Sequence, residues 1–220
     1  MSIFSDNSII CISCRERMSE NNMAELYDDI GICRNCFKKL DPVPKDSPFS
    51  GRGDVSCIFP CFYYNDTLKK LIYRYKFNGE WKIGKLFSEM IFNSLKDIKY
   101  LHEFDFITPI PLSRKRFFER GYNQSEIIAK DISEKLNIPF VICVYRRKNT
   151  AAQSLLKRND RIHNITNAFI ADKDKVFEKN IIIFDDIFTT GATINSCAKE
   201  LKDKGADNVI GISLAATKTK

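Results

Sequence analysis

Ile181 to Ile194 reads IIIFDDIFTTGATI, and few folds accommodate it. Ile181 to Phe184 are apolar without a break, as in a short strand buried on both faces. Two acids, Asp185 and Asp186, follow it at once. Apolar spacing resumes as a helix from Thr193 to about Lys204, which Gly205 can cap. Strand, tight turn and helix in that order form the building unit of a parallel sheet. At such a turn, backbone N–H groups face outward and the helix dipole favours an anion. Thr189, Thr190 and Thr193 add hydroxyl donors beside Ala192, and Gly191 allows close approach to a ligand. The Gly-x4-Gly-Lys spacing of a Walker loop is absent. The acids repel phosphate but suit sugar hydroxyls or a hard divalent ion such as Mg2+. Phosphate on one side and a diol or metal on the other describe a ribose 5-phosphate.

The rest of the chain fits an α/β reading. Strands are expected at Ser56–Tyr64, Phe104–Pro111, Phe140–Tyr145, Ile181–Phe184 and Asn208–Ala215. Helices are expected at Asp66–Tyr75, Trp81–Leu95 and Gln124–Leu136, from their spacing of apolar residues. Short apolar strands alternating with helices imply a mainly parallel sheet with helices on both faces. Ligands of such sheets sit at the carboxyl ends of the strands.

Six of the eight cysteines precede residue 62. Cys11-x-x-Cys14 and Cys33-x-x-Cys36 stand eighteen residues apart, a spacing that suits a four-thiolate structural zinc site. Disulfides are the competing use, disfavoured in a reducing compartment. Cys57 and Cys61 alternate with aromatics and read as strand core. Leu40–Asp54 is rich in Pro, Ser and Gly. The expected division is a metal module at 1–40, a linker at 41–54 and an α/β domain at 55–220.

The net charge of +7 is concentrated in the middle of the chain. Residues 61–130 hold 13 Lys/Arg against 8 Asp/Glu, and 131–180 hold 10 against 6. That suits a phosphate-bearing partner or a solvated basic face. Tyr63, Tyr64, Tyr73, Tyr75 and Phe77 interleave with Lys69, Lys70, Arg74 and Lys76, as core residues or as a stacking surface do. No stretch has the roughly 18 uncharged apolar residues of a membrane helix. The N-terminus lacks the pattern of a secretion signal, so the expected location is the cytoplasm without membrane insertion. His102 and His163 have no metal or triad partner in sequence.

Ile181–Thr193 resembles the phosphoribosyl pyrophosphate (PRPP) motif of type I phosphoribosyltransferases. With the cysteine pairs, YNDTLKKLIYRYKFNGE, ITPIPLSRKRFFERGYNQSEIIA and RKNTAAQSLLKRNDRIHNITNAF, the chain resembles the ComF family of competence proteins from Cys11 to about Ala216. Many members carry more cysteine knuckles than the single pair of C-x-x-C units here. The resemblance implies a type I phosphoribosyltransferase-like domain behind a small zinc-ribbon-like module. It implies that Asp185 and Asp186 contact ribose hydroxyls, directly or through Mg2+. Thr189, Thr190, Gly191, Ala192 and Thr193 would hold the 5-phosphate. Ser113, Arg114 and Lys115 would hold pyrophosphate, and Arg158 in the long basic connection 147–168 would join the substrate set. Cys11, Cys14, Cys33 and Cys36 would hold zinc. Two roles follow. One is a phosphosugar-binding accessory of DNA uptake that meets single-stranded DNA or a helicase. The other is an active phosphoribosyltransferase with an unassigned acceptor. A purely structural zinc-tethered module would leave the acid and threonine pattern without use.

Overall fold

Ile181–Phe184 lie inside a longer strand with a parallel neighbour on each side. The computed structural model describes residues 9–19, 21–27, 30–45, 47–51, 53–147 and 168–218. β1 (Ile10–Cys11), β2 (Met23–Tyr27) and β3 (Ile30–Cys33) form a small sheet in the order β1-β3-β2, and α1 (Arg34–Phe37) follows. β4 (Asp41–Pro42) and β5 (Phe49–Ser50) come from the expected linker, and both pair antiparallel with β6 (Cys57–Tyr63). Then come α2 (Asp66–Phe77), α3 (Lys82–Leu95), β7 (Phe106–Pro109), α4 (Arg114–Arg120) and α5 (Gln124–Leu136). β8 (Val144–Arg146), β9 (Phe169–Ala171), α6 (Lys173–Val176), β10 (Asn180–Phe188), α7 (Ala192–Asp203) and β11 (Asn208–Ala216) complete the order. The main sheet runs β4-β6-β11-β10-β7, and β6, β11, β10 and β7 are all parallel.

Side-chain alternation explains why β10 is apolar on every residue of the run. Ile182 and Phe184 join a core with Leu71, Phe87, Ile91 and Ile128, from α2, α3 and α5. Ile181 and Ile183 join a second core with Ile194, Cys197 and Leu201 of α7. A parallel strand with helices on both sides has no wet face. The N-terminal module is not a separate droplet: Ile12, Ile32 and Leu40 belong to the same core as Leu68 and Leu86. Among the described residues no helix is long and apolar enough to cross a membrane.

One expected strand is built differently. Phe140 makes a single parallel bridge to Ile107, after which β8 turns away and pairs antiparallel with β9. Cys143 and Val144 are both buried while Ile142 and Tyr145 are exposed. Two adjacent buried residues break the alternation that one continuous strand requires.

Asp105 fixes the start of β7 against β10. Its carboxylate accepts from the Asn180 N–H at 2.8 Å and from Lys179 Nζ at 3.1 Å. Burial opposes its charge, but this N–H and this ammonium outweigh burial and hold its pKa below the ordinary value. The stabilisation is therefore fully present above the unfolded pKa of about 3.9 and is lost as pH falls through the folded value. Asp105→Asn is expected to cost about 1 kcal/mol near neutral pH and almost nothing in strong acid. Urea unfolding of both proteins at the two pH values measures the difference.

Candidate functional site

β7 stops pairing with β10 at Pro109, opposite Phe184, whereas β10 continues beside β11 to Phe188. From Asp185 onward β10 has no strand partner on its β7 side. The acids therefore lie within the strand, not after it, at the point where its neighbour ends. Successive strand residues face opposite ways. Asp186 shares the side of Ile182 and Phe184, and Asp185 that of Ile181 and Ile183.

Asp186 forms an ion pair with Lys76 of α2, and the two side chains are only 15% and 13% exposed. The Asp185 carboxylate accepts from the Asp186 N–H at 2.9 Å. Burial, then the neighbouring Asp186 charge, hold the Asp185 pKa well above the usual carboxylate range. Ser213 is its register partner on β11, fully buried, with no hydrogen-bond partner for its hydroxyl among the described residues.

Lys76 reaches Asp186 because Tyr75, its neighbour, is locked. The Tyr75 hydroxyl donates to the Gln124 carbonyl at 2.9 Å, and its ring meets Phe87 edge-on at 5.8 Å. Gly84 leaves room for it, since a Cβ there would lie 2.7 Å from the Tyr75 hydroxyl. Asn65 caps the start of α2 by accepting from the Leu68 N–H at 3.0 Å. One face of α2 thus enters the core and the next residue along is delivered to the acid pair.

Beyond β10, Thr189 and Thr190 are exposed and Gly191 has φ +76°, immediately before α7 begins at Ala192. Thr190 Oγ1 accepts from the Ala192 N–H at 3.4 Å. The first turn of α7, with Ala192 and Thr193, contains no acid, so its free N–H groups stay available to an anion. A Cβ on Gly191 would stand 2.8 Å from the Phe188 ring in a conformation that side chains rarely adopt. Gly191→Ala should therefore destabilise the fold by about 1–3 kcal/mol, measured by denaturant unfolding.

Ser113 is the N-cap of α4, accepting from the Arg116 N–H at 3.4 Å, so its hydroxyl already has a local task. Arg114, Lys115 and Arg116 occupy the first turn with no acid among them. Cations at the positive end of a helix repel it, and a bound anion would relieve that repulsion. Arg120 at the other end donates to Gln124 Oε1 at 2.7 Å and lies 4.9 Å from the centre of the Phe77 ring. Its charge interacts with Asp186, and that of Arg146 in β8 with Asp185. A cavity of about 600 Å³ between α4 and β8 is lined by Arg114, Phe117, Tyr145 and Arg146. Lys76, Arg120 and Arg146 are the members of this constellation that sequence spacing did not assign to the acids. Nothing local marks them, because Lys76 lies more than a hundred residues from Asp186. The backbone joins Arg147 to Ala168 at 2.9 Å, closing the base of the connection between them. Arg158, together with Thr150, Gln153, Arg161, His163 and Asn164, lies outside the described residues.

The four cysteines meet beside α2, whose Arg74 donates to the Ile12 carbonyl of the first knuckle. The sulfur atoms of Cys11, Cys14, Cys33 and Cys36 all lie within 4.8 Å of one another, a group that could hold a metal ion. Burial pushes the Cys11 thiol up, but N–H groups of Cys33, Cys14 and Ser13 outweigh it and bring its pKa down to about 7. An N–H of Glu16 favours the Cys14 thiolate, but burial and the sulfurs of Cys11, Cys36 and Cys33 outweigh it and push that thiol up to about 12, and burial pushes the Cys36 thiol up. A metal ion binding all four would have to displace protons. Cys57 and Cys61 are not part of the group; Cys61 is buried in the main core.

No protein-family model matches the chain. Competence protein ComFC of Streptococcus pneumoniae is 32% identical over 214 residues, covering 95% of this chain and 88% of that one. Competence protein ComFC of Bacillus subtilis is 32% identical over 226 residues, covering 90% and 91%. Among solved structures, adenine phosphoribosyltransferase of Thermoanaerobacter pseudethanolicus aligns with 64% of this chain and 83% of its own, at 22% identity and a TM-score of 0.39. With 32% identity to two competence proteins over nine tenths or more of its length, the chain belongs to the ComF family.

Proposed function

We propose that the open end of β10 binds a 5-phosphoribosyl group, as PRPP with Mg2+, and that this site serves DNA uptake in the cytoplasm. The reading is carried by one juxtaposition: two mostly buried carboxylates on a strand that leads directly into an acid-free helix start. Asp185 and Asp186 would take the ribose hydroxyls or the metal. The N–H groups and hydroxyls of Thr189–Thr193 would take the 5-phosphate. Arg114 and Lys115, on a turn fixed by Ser113, would take the pyrophosphate, whose charge the Arg116 and Arg120 side chains also attract. Mg2+, when bound, would neutralise phosphate charge. The four cysteines would hold a structural zinc, since four thiolates fill a tetrahedral shell and leave no open position. The proposed division keeps residues up to 40 as this module, 41–54 as the connection and 55–220 as the phosphoribosyl domain. The names of the two relatives support a competence role, and the basic middle of the chain suits single-stranded DNA or a helicase that carries it.

Calorimetric titration with PRPP and Mg2+ tests the phosphosugar site. Saturable, Mg2+-dependent binding is expected for the parent and none for Asp185→Ala or Asp186→Ala. A folded parent that binds no PRPP overturns the reading.

A further inference from the structure

Between α2, α4 and the first cysteine knuckle lies a cleft of about 760 Å³. We infer that it binds single-stranded nucleic acid, with a base on Tyr73 and Phe77 and backbone phosphates on Lys69, Lys70 and Arg116. The inference deepens the DNA-handling part of the reading above and rests on it.

The sequence left the aromatic run of α2 open between core and stacking surface, and the helix divides it. Leu68, Leu71, Ile72 and Tyr75 turn inward and are buried. Tyr73 and Phe77, four residues apart on the outer side, are 58% and 56% exposed. Their rings stand 5.0 Å apart, so they present one continuous aromatic surface. Arg120 extends it, with its guanidinium 4.9 Å from the Phe77 ring centre.

Charge selects the ligand. Asp66 is the one acid on a lining that includes Lys69, Lys70, Arg74, Lys76, Arg116 and Arg120. Arg74 is held by Glu80, and Lys76 by Asp186. Lys69, Lys70 and Arg116 make no ion pair with any described residue. Cations without an ion-pair partner among the described residues, set around exposed rings, match a flexible chain of phosphates with unstacked bases, and every base has a face to offer. Duplex DNA keeps its bases stacked and gives the rings nothing to hold. Lys76 and Ile187 line the cleft while belonging to the acid-pair site, so a strand seated here would pass beside the proposed phosphoribosyl group.

The test uses the full zinc-loaded chain and fluorescence anisotropy with a labelled oligothymidylate. The parent should bind with affinity that falls as salt rises, with a log–log slope of roughly −0.7 for each phosphate neutralised. Tyr73→Ala with Phe77→Ala should weaken binding by about tenfold or more with the salt slope unchanged. Lys69→Gln with Lys70→Gln should weaken binding and flatten the slope by roughly 1.4. Lys130→Gln, on α5, should change neither. These side chains are exposed, and circular dichroism would confirm that each variant folds. A parent that binds no oligonucleotide removes the DNA-handling reading together with this one. A parent that binds while both double variants match it removes the cleft alone. Displacement by thymidine monophosphate at comparable concentration would overturn the single strand in favour of a free nucleotide. PRPP titration of the Tyr73/Phe77 variant should be unchanged, which keeps the two sites separable.

Discussion

Cys11→Ser is expected to lose the bound zinc and to lower the melting temperature by about 10 °C. The segment before residue 41 is too short to fold on a core of its own, and the proposed metal would fix its two knuckles. Yet its residues are shared: Ile12, Ile32 and Leu40 sit in the core that also holds α2 and α3. Arg74 of α2 donates to the carbonyl of Ile12, between the first two cysteines, and is paired with Glu80. Loss of the metal would loosen the knuckle, strip this guanidinium of one partner and open the core beside it. Loss of a structural metal belongs to the mutational effects above about 4 kcal/mol. For a chain of this length each kcal/mol moves the melting temperature by roughly 2–4 °C. Metal content after purification and calorimetric melting, both in reductant, measure the effect. A parent that carries no zinc, with melting indifferent to a chelator, would sink the assignment.

The parts that could be read in advance share a property: each is specified by neighbours in sequence. The apolar run, the turn around Gly191 and the helix after it are local, and the helix lies within one residue of its expected limits, whereas the strand runs four residues past Phe184. The cysteine pairs carry their spacing openly, and the structure brings all four sulfurs together. What could not be read depends on where distant segments stop. The opening beside Asp185 exists because β7 ends at Pro109, and no residue of β10 encodes that. Alternation puts Asp185 and Asp186 on opposite sides, but the extent of β10 had to be known first, since the sequence let the strand end at Phe184. Ser113, expected among the pyrophosphate ligands, is also the cap of α4, a structural task that its place before three cations does not announce. Phe140–Tyr145 fails for another reason: an apolar run does not say which strand it will meet, and this one is divided between β7 and β9.

The ion pair between Lys76 and Asp186 gives the second large effect. Asp186→Asn should destabilise the protein by about 3 kcal/mol, because it leaves a mostly buried ammonium without a counter-charge. Lys76→Met alone should also destabilise, by leaving the carboxylate unpaired. The double variant should recover most of the loss, and a double-mutant cycle in urea reads the coupling directly. Ligand binding should not follow stability. PRPP with Mg2+ should fail to bind whenever Asp186 is replaced, including in the stable double variant. Lys76→Met should bind at least as tightly as the parent, since the ammonium occupies a carboxylate that a ribose hydroxyl or a metal ion would otherwise take. In that case Lys76 keeps the empty site electrically balanced and is set aside when ligand enters. If Lys76→Met instead loses PRPP while Asp186→Asn retains it, the lysine contacts the ligand itself and Asp186 serves only to aim it. The two outcomes assign the pair opposite roles, and stability measured on the same proteins separates either from simple unfolding.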